Sequence, residues 1–368
     1  MSDAHTSVVD WDLLTSYAGL LVLALSAIYA GAHGSLPPAR NPDGSKSREE
    51  LEEEEGQERM GAGDAWLFPV VGSATLVGLY AVVKYFGTAW INWALGAYFS
   101  VAGIGAVWKS LIGLTRWAVG EERWLVFDEV EVVVTKGRRD AAKNKFTLSL
   151  RTPSLFLLPL ALFPSLLYSF YSRSALLTDV LGLAFAHSAL SLLKLDSFRT
   201  GCILLGGLFI YDVWWVFGTD VMVKVATSLD VPIKLLFPKS LASLLPFSFS
   251  LSSPFIVVAA QAPARGYTML GLGDVVVPGV FVALGLRWDY HRALARGGGF
   301  SKPYFWALMG AYAAGLGGTM GVMHVFHRAQ PALLYLSPAC VGAFAATAAW
   351  RGELGSAWGW CDGATEEA

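Results

Sequence analysis

The sequence predicts an all-α polytopic membrane protein with about nine transmembrane helices and one small cytosolic β-hairpin. Hydrophobic residues make up 54% of the 368 residues and charged residues only 15%, whereas charged residues are about 25% of an ordinary soluble domain. Long apolar stretches recur along the chain, each near the roughly 20 residues that a helix needs to cross a bilayer. The formal net charge of -2 gives no reason to expect a nucleic-acid partner.

Nine segments are long and apolar enough to be membrane spans. Their predicted boundaries are residues 13–32, 65–86, 90–112, 154–171, 175–193, 200–222, 268–286, 303–322 and 331–350. The first has the length of a secretory signal, but Asp3, Asp10 and Asp12 precede it without any Lys or Arg. A signal peptide begins with a basic region, so we expect this segment to be retained as a span.

The Lys and Arg residues indicate the orientation of the spans. They are concentrated in alternate loops, above all at residues 116–151 and 287–302, and cytoplasmic loops carry such an excess. An odd number of spans places the two termini on opposite sides. The N-terminus is therefore predicted to be lumenal and the C-terminus cytosolic.

Three polar regions lie outside the predicted spans. The first contains the acidic run SREELEEEEGQER, which is expected to be a solvated or disordered loop, with a partner-binding segment as the alternative. The second alternates apolar and polar residues in VFDEVEVVV and KFTLSLR, which predicts a β-hairpin between the third and fourth spans. The third, residues 224–267, is rich in Pro and Ser and is placed on the lumenal side.

Two aspartates lie within segments that otherwise belong in lipid, namely Asp212 in FIYDVWWVFGTD and Asp274 in TMLGLGDVVVPGVFVALGL. An aspartate at the centre of a spanning helix costs roughly 3 kcal/mol on insertion scales, so both residues require a functional reason. Asp212 lies 12 residues beyond Thr200, and Asp274 lies 12 residues before Leu286. Each is thus roughly 18 Å from the cytosolic end of its span, which puts both carboxyls at one level.

Two neighbouring carboxyls in a medium of low dielectric constant cannot both ionise cheaply and should share one proton. This is the arrangement of an aspartic protease, in which one carboxylate deprotonates the attacking water and the other carboxyl protonates the developing oxyanion. The few His residues are scattered and no HExxH motif occurs, which disfavours a membrane zinc protease. We therefore predict a site without a metal or cofactor.

The residues beside the two aspartates suggest supporting roles. Gly271 and Gly273 flank Leu272 and weaken a helix by about 1 kcal/mol each relative to Ala, so the chain before Asp274 could be unwound and admit water or a substrate strand. The alternative is that these glycines permit close helix packing. Tyr211 precedes Asp212 and could offer its hydroxyl to the carboxyl, or could simply pack at a helix interface.

Three motifs then occur in order: YD in one apolar helix, GLGD in the next, and QPALLYLSPA at the last span. Together they resemble the signal peptide peptidase family of intramembrane aspartyl proteases, which is related to presenilin. GCILLGGLFIYDVWWVFGTDVMVKVA, APARGYTMLGLGDVVVPGVFVALGLRWD and HRAQPALLYLSPACVGAF extend the resemblance over most of the C-terminal half. The resemblance implies that Asp212 and Asp274 are catalytic. It also implies that the PAL motif shapes substrate contact beside them, through Gln330, Pro331, Ala332 and Leu333.

The resemblance further implies an endopeptidase that hydrolyses peptide bonds within transmembrane segments. Its expected substrates are type II-oriented remnant signal peptides and some tail-anchored proteins. Membrane lipid, a second copy of the chain and membrane-protein degradation machinery are the other implied partners. The family also implies residence in the endoplasmic reticulum, although the sequence ends in WCDGATEEA without a dilysine retrieval signal.

Two other classes of function stay open from the residues alone. In a proton-coupled transporter the two aspartates would carry protons, although we see no inverted repeat of the kind that many transporters contain. A non-catalytic scaffold in protein degradation is the other alternative.

The predicted organisation is a lumenal tail (1–12), three spans (13–112) with an acidic cytosolic loop (33–64), a cytosolic loop with the hairpin (113–153), six spans (154–350) with the catalytic core (200–350), and a cytosolic tail (351–368).

Overall fold

A computed structural model describes ten stretches of the chain. They are residues 11–37, 58–124, 126–136, 143–170, 174–219, 221–228, 232–239, 266–297, 299–326 and 330–362. Most of the predicted acidic loop, most of the loop after the sixth span, and the ends of both tails lie outside these residues.

Nine of the described helices have 18 residues or more. In chain order they are α1 (Trp11–Gly34), α2 (Ala62–Phe86), α3 (Thr88–Val119), α5 (Thr152–Phe170), α6 (Ala175–Leu192), α7 (Phe198–Phe217), α9 (Leu272–Arg296), α10 (Pro303–Phe326) and α11 (Leu333–Trp350). Three short helices complete the set, α4 (Glu121–Trp124), α8 (Val221–Ser228) and α12 (Leu354–Gly359). The predicted all-helical class is thereby confirmed.

Seven of the long helices are apolar enough to cross a membrane, counted over the described residues. The two others are α9, which carries the charged residues Asp274, Arg287 and Asp289, and the glycine-rich α10. Large apolar side chains such as Trp117 and Phe170 are exposed on the outside of the bundle, as lipid-facing residues are. The chain is a polytopic membrane protein, and the count of nine spans stays a prediction.

Several predicted span boundaries differ from the helix ends, and the spans predicted at 200–222 and 268–286 include residues that are not helical. The span predicted at 200–222 ends as a helix at Phe217, where Gly218 caps α7 by donating its amide to the carbonyl of Trp214. The span predicted at 268–286 begins as a β-strand, because residues up to Gly271 pair with a strand from the preceding loop. Only from Leu272 does this segment become helical.

Six short strands form three two-stranded sheets among the described residues. They are β1 (Glu58–Met60), β2 (Glu129–Lys136), β3 (Lys143–Arg151), β4 (Leu193–Leu195), β5 (Lys234–Pro238) and β6 (Tyr267–Gly271). Strands β2 and β3 form the antiparallel hairpin that the alternating pattern predicts. The parallel pair of β1 and β4 and the antiparallel pair of β5 and β6 are not predicted.

The largest buried cluster joins α1, α7, α9, α10 and α11. At its centre the ring of Phe198 on α7 stacks on that of Phe344 on α11 at 4.1 Å and meets the ring of Phe281 on α9 edge-on at 5.8 Å. At the same end of the bundle Arg287 forms an ion pair of 2.6 Å with Asp362. These contacts fix α7, α9 and α11, the three helices that carry the predicted motifs.

Candidate active site

The carboxyl of Asp212 lies deep in the bundle, on α7, with only 4% of the residue exposed. Its Oδ2 accepts a hydrogen bond of 3.1 Å from the backbone amide of Leu333. Leu333 is the first residue of α11, and the first amides of a helix have no partner within the helix. The carboxyl of Asp212 therefore caps the start of α11.

Residues of the PAL motif bring α11 to this position. Pro331, Ala332 and Leu333 are all buried, and Gln330 before them is half-buried. Pro331 has no amide to satisfy, so it can lie just before a helix without loss. The motif thus lies directly beside Asp212, where the resemblance places it.

Asp274 is in the first turn of α9, immediately after β6 has ended at Gly271. A side chain at Gly271 would approach its carboxyl, since a Cβ there would lie 3.2 Å from Oδ2 of Asp274. Asp212 lies on α7, and α7 packs against α9. The two aspartates that the sequence singles out thus lie on neighbouring helices.

The chain before Asp274 is extended rather than helical. Strand β6 pairs with β5 from Lys234↔Gly271 to Pro238↔Tyr267, and the amide of Leu272 continues the ladder by donating to Ile233 at 2.9 Å. A Cβ at Gly273 would meet no other atom within 4 Å, so the surroundings of this glycine are open. The region upstream of Asp274 is thus unwound, and the strand that pairs with it is a feature that sequence analysis misses.

Tyr312 on α10 is a second feature that sequence analysis misses. Its side chain is fully buried, and its hydroxyl donates to the backbone carbonyl of Asp274 at 3.3 Å. The amide that would normally reach this carbonyl belongs to residue 278, four positions on, and that residue is a proline without an amide. Tyr312 therefore supplies the hydrogen bond that Pro278 cannot. In the sequence, the signal is a Pro four positions after the Asp, because the carbonyl of that Asp then has no amide to accept from within the helix.

The ring of Tyr211 lies against α2. A Cβ at Gly72 would lie 3.5 Å from this ring, and the ring of Trp215 is 6.4 Å away. Close packing at a helix interface therefore accounts for the ring. A contribution of its hydroxyl to the environment of Asp212 stays a prediction.

Over the residues that the structure describes, no three His, Cys, Asp or Glu side chains are grouped as a metal site requires. Asp179 and His187 lie on the same helix, α6, but have separate partners. The first accepts from the amide of Leu236, and the second contacts the hydroxyl of Ser110. The carboxyl of Asp212 thus accepts from a backbone amide, and the backbone carbonyl of Asp274 accepts from the hydroxyl of Tyr312.

The fold and these residues together define a polytopic membrane protein with one aspartate on each of two packed helices. A family model described as "Signal peptide peptidase" matches residues 52–362. The chain is 37% identical to a human signal peptide peptidase over 92% of its own length and 81% of that protein's. It is also 32% identical to a probable intramembrane protease of Schizosaccharomyces pombe, over 84% of this chain and 87% of that one. The chain belongs to the signal peptide peptidase family.

Proposed function

We propose that this protein is an intramembrane aspartyl endopeptidase whose catalytic groups are the carboxyls of Asp212 and Asp274. The observation that carries the proposal is that α7 and α9 pack against each other inside an apolar bundle and each carries one of the two aspartates, with the carboxyl of Asp212 buried against the amide of Leu333. Membership of a family whose relatives are named as intramembrane proteases supports a protease over a transporter or a scaffold.

The proposed reaction is hydrolysis by general acid–base catalysis. Like charges close together in a low-dielectric site keep one proton between the two carboxyls. The ionised carboxyl takes a proton from water as the oxygen attacks the scissile carbonyl, and the protonated carboxyl donates to the developing oxyanion. Collapse of the tetrahedral intermediate then breaks the C–N bond, and the amine leaves with a proton from the pair. No metal or cofactor takes part in this scheme.

The substrate must be extended before it can be cut. A transmembrane helix bonds its amides to its own carbonyls, and no water is present in the bilayer to replace those bonds. Strand β6 offers a replacement. Its residues Met269 and Gly271 are exposed, and an extended peptide could add to this edge as a third strand. A peptide held there would pair with a strand that ends at Gly271, three positions before Asp274 in the chain.

We propose type II-oriented remnant signal peptides and some tail-anchored proteins as substrates. The relatives named as signal peptide peptidases support the first class.

We also propose the endoplasmic reticulum membrane as the location, with a lumenal N-terminus and a cytosolic C-terminus as the distribution of Lys and Arg indicates. A catalytic core at 200–350 fits the positions of both aspartates, Tyr312 and the PAL motif. Self-association and contact with degradation machinery are proposed from the family resemblance.

The test is cleavage of a transmembrane peptide of signal-peptide origin by purified full-length protein in detergent. The wild type should cut it, and Asp212→Ala and Asp274→Ala should each reduce the rate to background. Asp196→Ala is a matched control, because this aspartate lies outside the dyad, between β4 and α7. If either dyad variant cuts at the wild-type rate, the two carboxyls are not the catalytic pair.

A further inference from the structure

Asp179 on α6 binds the outer edge of the small sheet that leads to Asp274. Its Oδ1 accepts a hydrogen bond of 2.7 Å from the backbone amide of Leu236, in the middle of β5. The ladder between β5 and β6 uses the odd-numbered residues of β5, as shown by the bond from Leu272 to Ile233. Since alternate residues of a strand point their amides to opposite sides, the amide of Leu236 points away from β6. Asp179 therefore occupies the position that another strand would need.

The backbone of β5 lies closely against α6 beside this hydrogen bond. Gly182 is one turn along the helix from Asp179, and a Cβ there would be 3.2 Å from Cδ2 of Leu235 and 3.6 Å from the carbonyl oxygen of Lys234. Asp179 and Gly182 thus both suit the close approach of β5, because the first offers a hydrogen-bond acceptor and the second has no side chain.

The helix α1 holds the sheet from another side. The hydroxyl of Ser16 pairs with that of Thr268 on β6, and a Cβ at Gly19 would meet the ring of Phe237 on β5. The opposite edge of the sheet, formed by β6, is not covered in this way. Among the described residues β6 pairs with no strand other than β5, and Met269, whose backbone groups point away from β5 by the same alternation, is 62% exposed.

We propose that Asp179 is a positioning residue for the peptidase reaction. By binding the amide of Leu236 it closes the β5 edge, leaves β6 as the edge for the substrate, and fixes the register of the sheet relative to Asp274. The inference rests on the proposed peptidase function. Successive residues of a strand are about 3.3 Å apart, so a slip of the substrate by one residue places a different peptide bond at the two carboxyls. The position of the cut is thus the property that Asp179 controls.

The experiment compares the cleavage positions of one transmembrane peptide of signal-peptide origin in wild type, Asp179→Asn and Asp179→Ala. Product masses give the positions, and titration with a transition-state mimic of aspartic proteases gives the fraction of active enzyme. Asn keeps an oxygen acceptor, so it should cut at the wild-type bond within about threefold of the wild-type rate. Ala removes the acceptor. It should lower the rate per active enzyme about tenfold or more and move a substantial share of cuts to neighbouring bonds.

Thr178→Val is the matched control, because Thr178 is buried beside Asp179 and its hydroxyl donates to the carbonyl of Ser174, the residue just before α6. It should leave the cleavage positions unchanged. The proposal is overturned if Asp179→Ala cuts only at the wild-type bond, whether or not its active fraction falls, or if Asn shifts the cuts as far as Ala does. The failure of the proposed function looks different, because Asp212→Ala and Asp274→Ala would then still cut.

Discussion

The amide of Leu333 donates to the carboxyl of Asp212 across 3.1 Å, and this bond joins the beginning of one helix to the interior of another. Leu333 follows Pro331 and Ala332, both buried, so the PAL motif enters the core at this aspartate. A carboxyl at a helix N-terminus meets the positive end of the helix dipole as well as unpaired amides. Asp212 thus has a structural partner in addition to its proposed chemical role.

Two substitutions of Asp212 separate these roles. Asp212→Asn removes the acid but keeps an oxygen that can accept from Leu333, whereas Asp212→Ala removes both. We expect both variants to be inactive, and we expect the Ala variant to be less stable than the Asn variant by about 1–3 kcal/mol, because it leaves a buried amide unsatisfied. Thermal unfolding in detergent, beside the peptide cleavage assay, measures the two effects. Equal stability of the two variants would show that the amide is satisfied in another way.

Tyr312→Phe tests the bond to the carbonyl of Asp274. Since Pro278 has no amide, removal of the hydroxyl leaves this carbonyl without a hydrogen bond from either residue. We expect a loss of about 1–3 kcal/mol of stability and a lower kcat with little change in KM, because the first turn of α9 then holds Asp274 less firmly.

The matched control for Tyr312→Phe is the double variant Tyr312→Phe, Pro278→Ala. Alanine restores an amide at position 278, which can donate to the carbonyl of Asp274 within the helix. The double variant should therefore recover part of the stability, and a double-mutant cycle gives the coupling. Strictly additive effects would mean that the two residues do not serve the same carbonyl.

The sequence singles out residues that do not suit an apolar span, and it predicts structure that depends on near neighbours in the chain. Asp212 and Asp274 are conspicuous because a carboxyl in an apolar span is expensive, but the prediction of equal depth assumed a span end at Leu286, whereas α9 extends to Arg296. The hairpin of β2 and β3 is predicted because its alternation is local. The sheet beside the site is not, since β5 lies in a Pro- and Ser-rich loop and pairs with a strand roughly 30 residues away. Nothing in a five-residue apolar run specifies such a distant partner.

Tyr312 and Asp179 show a second limit. Each is a polar residue in an apolar helix. The hydrogen-bond partner of such a residue can be in its own helix or can be a distant backbone group. Tyr312 bonds to Asp274 on the preceding helix, and Asp179 bonds to a strand 57 positions along the chain. These partners depend on how α6, α9 and α10 pack together. The sequence of a single segment does not determine that packing.

Glu353 should make stability depend on pH. It lies just after α11, where it accepts from Arg292 and Arg296 and from the hydroxyl of Tyr304. Burial opposes its ionisation, but the hydrogen bonds from Arg296 and Tyr304 and the nearby charge of Arg292 outweigh this, and the pKa lies below the ordinary 4.5.

Because the pKa of Glu353 is lower in the folded state, the unfolded state binds its proton first as the pH falls. The stabilisation is therefore complete above pH 4.5 and disappears as the pH falls through the lower, folded pKa. Glu353→Gln should be less stable than wild type by about 1–3 kcal/mol at neutral pH, and this difference should shrink in acid. Unfolding temperatures measured from about pH 3 to pH 7 test it. A difference that stays constant or grows in acid would contradict the assignment.

The spacing of α7 and α9 depends on Gly201. A Cβ at this position would lie 2.5 Å from Cδ2 of Phe281, and the ring of Phe281 cannot easily turn away because it packs against Phe198 and Phe344. We expect Gly201→Ala to push the two helices apart, at a cost of about 1–3 kcal/mol. Asp212 and Asp274 lie on the same two helices, so kcat should fall by about tenfold or more.

Gly206 gives the matched control on the same helix, because no atom lies within 4 Å of a Cβ there. Gly206→Ala should leave the rate of peptide cleavage unchanged and raise helix stability by up to about 1 kcal/mol. The comparison separates the general effect of alanine in α7 from the specific contact with α9. If Gly201→Ala cleaves the peptide as fast as Gly206→Ala, the separation of the two carboxyls is set closer to the site, by the contacts of Leu333 and Tyr312. The first glycine would then matter for folding alone.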